Sequence, residues 1–400
     1  MVYIVQENRS FDDMFEGYPG ADTVSRGKSS TGKMIKLLPV SLTVRYDLDH
    51  SATAMFDDCD GTGQLPGTRC RMDDFDKEAV YGAVQGVKHP MYVYVPHEET
   101  KPLFDMAHEW VISDRTFASQ IDESFVAHQY IIAAQADSSV DVPFGPWGCE
   151  GGRTDQVKMI THSRTITSKT QRPCFDYTTL GDELDKAGLS WRFYTSQYGS
   201  PTEGGLWSGY QAVKHIIDGP DWANIITPQK KFLKDVAKGK LAAFTWITPL
   251  CEDSDHSTCG EGYGPSWVAS LVDAIGKSRF WNTTAVFVQW DDWGGMYDHV
   301  PPPYRDFDSL GFRVPLLVIS PYAKEDYVSH VQYETASVLR FAEDLFGLDQ
   351  LTAADKRAMS PAADCFDFSQ KPRKFVPIKA PEGQEFFRAQ PNDYRQPDDG

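Results

Sequence analysis

The stretch Val2–Asp13, VYIVQENRSFDD, decides the fold. Val2 to Val5 is a short, continuously apolar run, and Glu7, Asn8 and Arg9 follow it at once. A continuous run, as opposed to an alternating one, reads as a strand buried on both faces. The same signature recurs at Trp110–Ser113, Trp191–Tyr194, Leu241–Ile247, Ala285–Trp290 and Val314–Ile319. Helical patterns stand between these runs at Lys101–Glu109, Leu180–Ala187, Phe232–Val236 and Trp267–Ile275, and after the last of them at Glu334–Phe346. Strand and helix in alternation predict an α/β fold, with a mainly parallel central sheet and helices on both faces. Two long non-periodic segments, Asp22–Pro90 and Ser138–Cys174, read as loop insertions that wall a binding site. No linker divides the chain, so residues 1–390 read as a single domain and 391–400 as a frayed tail.

The bulk numbers exclude several classes. The chain has 400 residues, 41% hydrophobic and 13% aromatic, with a formal net charge of -18. That charge repels nucleic acid phosphates and gives no long-range attraction to an anionic membrane. No apolar run is long enough to span a bilayer. Neither a charged n-region nor an apolar h-region precedes the first strand, so the chain reads as one trimmed of any signal peptide. The cysteines fall close together as Cys59 and Cys70, Cys149 and Cys174, and Cys251 and Cys259, with Cys365 left over. They read as three local disulfides and one free thiol, which points to a periplasmic or secreted protein. The competing reading is seven unrelated thiols, since pairing is not deducible from spacing.

In an open parallel sheet, ligands bind beyond the carboxyl ends of the strands. Glu7 and Asn8 follow the first strand. Asp291 and Asp292 follow Ala285–Trp290, with Gly294 and Gly295 to turn the backbone and then Asp298 and His299. Two strands thus bring three carboxylates to one edge, where they repel unless a cation lies among them. Oxygen ligands suit a hard or borderline divalent ion. The bland alternatives are a helix cap, since Ser10 and Asp13 resemble a capping box, and a solvated Asp-Asp turn. Arg9 either pairs with a carboxylate or faces solvent. No GxSxG elbow, Walker A loop or CxPxR stretch is present, which disfavours a lipase-type hydrolase, an NTPase and a formylglycine sulfatase.

Four motifs in order resemble the bacterial phosphoesterase family. They are ENRSFDDMFEGYPGAD (Glu7–Asp22), DESFVAHQY (Asp122–Tyr130), WDDWGGMYDHVPPP (Trp290–Pro303) and GFRVPLLVISP (Gly311–Pro321). That family contains the non-specific phospholipases C and the respiratory-burst-inhibiting acid phosphatases, within the alkaline phosphatase superfamily. The resemblance runs from about Val2 to Leu348 and implies an alkaline phosphatase-like fold. It implies one divalent metal ion held by Glu7, Asn8, Asp291, Asp292 and Ser124, with Ser124 as nucleophile. It also implies His50, His256 and His299 as catalytic histidines. Asp298, His128 and Asp73 are expected on the substrate side, Asp73 as a partner of a histidine and His128 in place of the family's Pro-Asn-Arg continuation. Arg313, in the fourth motif, reads as structural, and His330 ranks below the other histidines. The expected substrate is a phosphate monoester or a phospholipid. The competing function is a non-catalytic binding protein for phosphate esters or lipid headgroups on the same scaffold.

Overall fold

The computed structural model describes residues 1–84, 86–144, 148–152, 154–196 and 207–394. Residues 395–400, most of the expected tail, lie outside the described residues. The main sheet has eight strands. In chain order they are β1 (Val2–Gln6), β2 (Val111–Ser113), β3 (Trp191–Tyr194), β4 (Ile225–Ile226), β5 (Phe244–Ile247), β6 (Val286–Trp290), β7 (Leu316–Ile319) and β8 (Tyr327–Ser329). They lie side by side as β4-β3-β5-β1-β6-β7-β2-β8. All neighbours are parallel except β7, which runs against β6 and β2. This is the expected mainly parallel α/β sheet. Every residue of β1, β5, β6 and β7 is buried, so the centre of the sheet is covered on both faces.

Six of the strands grow from the six apolar runs. Val314 and Pro315 stand outside β7 although their run looked continuous, because a proline has no N–H for the ladder. The two strands that the apolar runs do not reveal, β4 and β8, form the edges of the sheet and are only partly buried. Helices His97–Glu109, Lys231–Ala237 and Gly264–Gly276 pack as one group, and Ser124–Ala133, Leu180–Lys186 and Ala336–Phe346 as another.

The two long insertions hold more regular structure than their sequences suggest. Within the first, Arg26–Lys28 pairs with Met34–Lys36, Tyr46–Leu48 pairs with Val80–Gly82, and Ala52–Cys59 is a helix. This segment has its own apolar cluster, in which Leu48, Met55 and Phe75 pack with Trp293 and Phe312. The second contains an antiparallel sheet of Ser139–Phe144, Gln156–Ile160 and Ile166–Gln171. Its strands are half exposed and irregular in register, which erases the clean alternation that would have marked them. The cysteines pair as Cys59–Cys70, Cys149–Cys174 and Cys251–Cys259, and Cys365 is a buried free thiol.

Candidate active site

β1 and β6 are parallel neighbours in register, with Gln6 opposite Trp290. Their next residues therefore leave the sheet side by side. The Asp291 N–H donates to the Gln6 carbonyl at 3.0 Å, and the Asn8 N–H donates to Asp291 Oδ1 at 3.0 Å. Asn8 sits in the left-handed region at φ 53°, a conformation that asparagine tolerates better than most residues. Gly294 (φ 61°) crosses directly behind it, where a Cβ would collide with the Asn8 carbonyl. The neighbouring β5 feeds the same edge: the Gln6 carboxamide donates to the Asp253 carbonyl and accepts the Asp255 N–H, both at 3.0 Å.

Ser124 is the first residue of the helix Ser124–Ala133, and both it and His128 are buried. Spaced four apart, they lie on one face of that helix. The Ser124 hydroxyl is 3.3 Å from Asp292 Oδ2 and 3.1 Å from the Asn8 amide nitrogen. His128 Nε2 lies 3.1 and 3.3 Å from the two Glu7 carboxylate oxygens and 3.7 Å from Asp291 Oδ2. Gln120, which the motifs did not single out, clamps the loop before Ser124 to this edge by donating to the Asp291 carbonyl at 3.1 Å.

His50 is held by the Leu48 carbonyl at Nδ1 (2.8 Å). A carbonyl only accepts, so Nδ1 carries the proton, and Nε2 faces the Asn8 carboxamide at 3.0 Å. With the amide nitrogen towards His50, the Asn8 oxygen is turned to Glu7 and Asp291; in the reversed orientation the nitrogen donates to Glu7 and Asp291 at 3.3 and 3.2 Å and the oxygen accepts from His50 Nε2 at 3.0 Å. In the first orientation oxygens from Glu7, Asn8 and Asp291 converge, and in either one Asp291 Oδ2 is buried without a hydrogen bond. One atom each of Glu7, His128 and Asp291 lies within 4.8 Å of the others. This oxygen-rich set with one imidazole fits a divalent cation. His128, expected on the substrate side, thus stands on the carboxylate side. The His256 ring centroid is 6.3 Å from that of His50, and its Nδ1 bonds the Ser257 carbonyl.

Three expected site residues lie elsewhere. Arg313 grips both oxygens of Asp298 at 2.9 and 3.0 Å. His299 bridges Asp12 Oδ2 (2.6 Å) and Asp22 Oδ1 (3.1 Å). This second cluster ties the two motif loops to the Gly311–Pro315 segment, because the turn at Gly294 and Gly295 carries the chain away from Asp292. Asp73 pairs with Lys28 (2.7 Å) and Arg71 (3.8 Å) rather than with a histidine. Arg9 is buried, donating to the Asp255 carbonyl at 2.7 Å and to Asp13 at 3.3 Å. Burial pushes the Asp13 and Asp255 carboxyls up to about 6 and about 7, with Arg9 opposing the rise.

A cleft of about 560 Å³ opens over His50 and Glu123. Its walls carry Asp49, Asp141 and Lys158 together with the rings of Tyr81 and Phe144.

The sequence pattern of the Phosphoesterase family matches residues 1–349. The chain is 24% identical to non-specific phospholipase C1 of Arabidopsis thaliana, over 96% of this chain and 73% of that protein. It is 22% identical to phospholipase C A of Mycobacterium tuberculosis, over 94% of this chain and 78% of that one. Among solved structures, an alkaline phosphatase superfamily protein from Vibrio parahaemolyticus aligns with TM-score 0.39 and 11% identity, covering 63% of this chain and 61% of its own. The chain belongs to the Phosphoesterase family, and so to the hydrolases that act on phosphoric ester bonds.

Proposed function

We propose that the chain hydrolyses phosphate esters, of the phospholipase C or acid phosphatase type, through a phosphorylated Ser124. The observation that carries this reading is the Ser124 hydroxyl. It is buried at a helix N-terminus, within 3.3 Å of Asp292 and 3.1 Å of the Asn8 amide, beside the Glu7–His128–Asp291 cluster. Glu7, Asn8, Asp291 and Asp292 would hold one divalent cation, with His128 as a further ligand or as the base that orients Glu7. When bound, that cation lowers the pKa of a neighbouring hydroxyl and offsets negative charge on phosphate oxygens.

The chain's own groups supply the rest. Asp292 Oδ2 accepts the Ser124 proton, and Ser124 Oγ attacks phosphorus as the ester P–O bond breaks. The positive end of the helix Ser124–Ala133 faces the equatorial oxygens of the transferring group. His50 and His256 contact those oxygens, and one of them protonates the departing alkoxide. Water then cleaves the phosphoserine.

The substrate class is a phosphate monoester or a phospholipid. No helix among the described residues is long and apolar enough to cross a membrane. The three disulfides support a periplasmic or secreted location. The test is Ser124→Ala, assayed on p-nitrophenyl phosphate beside p-nitrophenylphosphorylcholine. Turnover of both is lost in the variant if the reading holds, and wild-type-like rates overturn it. The wild-type ratio of the two rates separates monoester from diester preference.

A further inference from the structure

We propose that Asp141 is a positioning residue that couples the loop bearing His50 to the loop bearing Ser124. The inference rests on the reading of those two residues as parts of one catalytic centre. Asp141 lies in the strand Ser139–Phe144, where pairing with Gln156–Ile160 shifts register between Val140 and Phe144. It sits at φ 60°, so the strand bulges there. A non-glycine residue in that region is strained, although aspartate tolerates it better than most. The bulge aims the main chain and the side chain of one residue at two different loops.

The Asp141 N–H donates to Asp122 Oδ2 at 2.5 Å, two residues before Ser124. Asp141 Oδ1 accepts the Ala52 N–H at 3.1 Å, two residues after His50. Asp141 Oδ2 accepts from Lys158 Nζ at 3.0 Å, which fixes the carboxylate against the wall of the cleft. Ala52 begins the helix Ala52–Cys59, whose cap Ser51 accepts from Ala54 N. The Ala52 N–H is therefore a donor that the cap leaves over, and a carboxylate suits the positive end of that helix. Segments about seventy residues apart in the chain are joined through the main chain and side chain of a single buried residue, 6% exposed. Loss of the Asp141 carboxylate frees the start of the helix Ala52–Cys59, two residues after His50, and lets the imidazole drift from the Asn8 amide. A displacement of about 1 Å in a catalytic group costs turnover more than binding.

The test uses the full chain with its metal restored, and three variants. Asp141→Ala removes the acceptor, and kcat is expected to fall ~10–100-fold with KM within about 2-fold. Asp141→Asn keeps an oxygen acceptor and the left-handed backbone, and is expected to hold kcat within about 3-fold of wild type. Ala52→Pro breaks the same link from the other side. It stands at the first helical position, after a Ser51 already extended at ψ 166°, where proline is tolerated. It is expected to reproduce the kcat loss, with the double variant Ala52→Pro/Asp141→Ala no worse than either single one. Full kcat in Asp141→Ala, no rescue by Asp141→Asn, or additive losses overturn the proposal.

A second readout needs no turnover. The His50 imidazole NMR signal, identified by its loss in His50→Gln, should move in Asp141→Ala and Ala52→Pro and stay in Asp141→Asn. An unmoved signal in all three also overturns the coupling. If Ser124→Ala retained activity, the catalytic reading would fail, while this signal would still judge the link.

Discussion

Two buried acidic clusters stand behind one edge of the sheet, and the same two motifs supply both. Glu7 and Asn8 go to one and Asp12 to the other. Asp291 and Asp292 go to the first, and Asp298 and His299 to the second. Their counter-charges differ. Asp298 is held on both oxygens by a guanidinium at 2.9 and 3.0 Å. Asp291 has an imidazole at 3.7 Å, and its Oδ2 has no hydrogen bond. A buried carboxylate gripped by arginine is complete and holds the fold together. One facing other oxygens is complete only with a cation, and for that reason it is the better candidate for chemistry.

That contrast breaks or sharpens under substitution. The largest effect is expected at Ser124, whose replacement by alanine should lower kcat on the order of 10³-fold or more in steady-state assays. Its melting temperature should stay within about 2 °C of wild type. Next comes Asp298→Asn, which removes the carboxylate that grips Arg313 on two sides and leaves the buried guanidinium only Asp12, at 3.4 Å, as a buried anionic partner. It should cost ~3–5 kcal/mol in urea unfolding, while the protein that remains folded turns over within about 10-fold of wild type. Asp291→Asn should do the reverse. The metal content of the purified protein falls, and the metal-free chain unfolds at the same urea concentration as wild type or a higher one, because repulsion with Glu7 is relieved. Equal destabilisation by Asp291→Asn and Asp298→Asn would erase the distinction between the clusters.

The smallest effect is one of pH. Burial alone would lower the His299 pKa, but the Asp12 hydrogen bond and the charges of Asp12 and Asp298 outweigh it and raise it. Asp22, the other partner of His299, is held lower, with the histidine's charge and hydrogen bond overcoming burial. A raised histidine pKa means that the folded state holds the proton more tightly. The stabilisation is complete below the ordinary value of about 6.5 and is lost as pH rises through the folded value. His299→Gln should therefore be clearly less stable than wild type at about pH 5.5, with the gap narrowing by about pH 8.5. A gap that widens with pH would show that the pair with Asp12 does not govern this cluster.

Much of the central sheet was legible because buried parallel strands write themselves as unbroken apolar runs, as at Val2–Gln6 and Trp191–Tyr194. The helix Ser124–Ala133 was not, although it carries the proposed nucleophile. All ten of its residues are buried, so no polar face marks a helical period. Ser124, His50 and His256 were reached through family resemblance, since nothing in their local spacing announces them. Glu7, Asn8, Asp291 and Asp292 were reachable by strand-end reasoning alone. Asp141 had no signal at all, because a bulge depends on how its strand registers with a partner.

By itself, the sequence determined six strands of the central sheet, that two of them are followed by carboxylate and carboxamide side chains, and which cysteines lie close together in the chain. These are local properties, written in periodicity and residue type. Only the tertiary structure decided that each motif is divided between two clusters, that His128 stands under Glu7, and that Arg9 pairs inward with Asp13. Charge balance in a buried site depends on which side chains meet across the fold. Gly294 and Gly295, by turning the chain after Asp292, set which acids remain near Ser124 and which are carried off to Arg313.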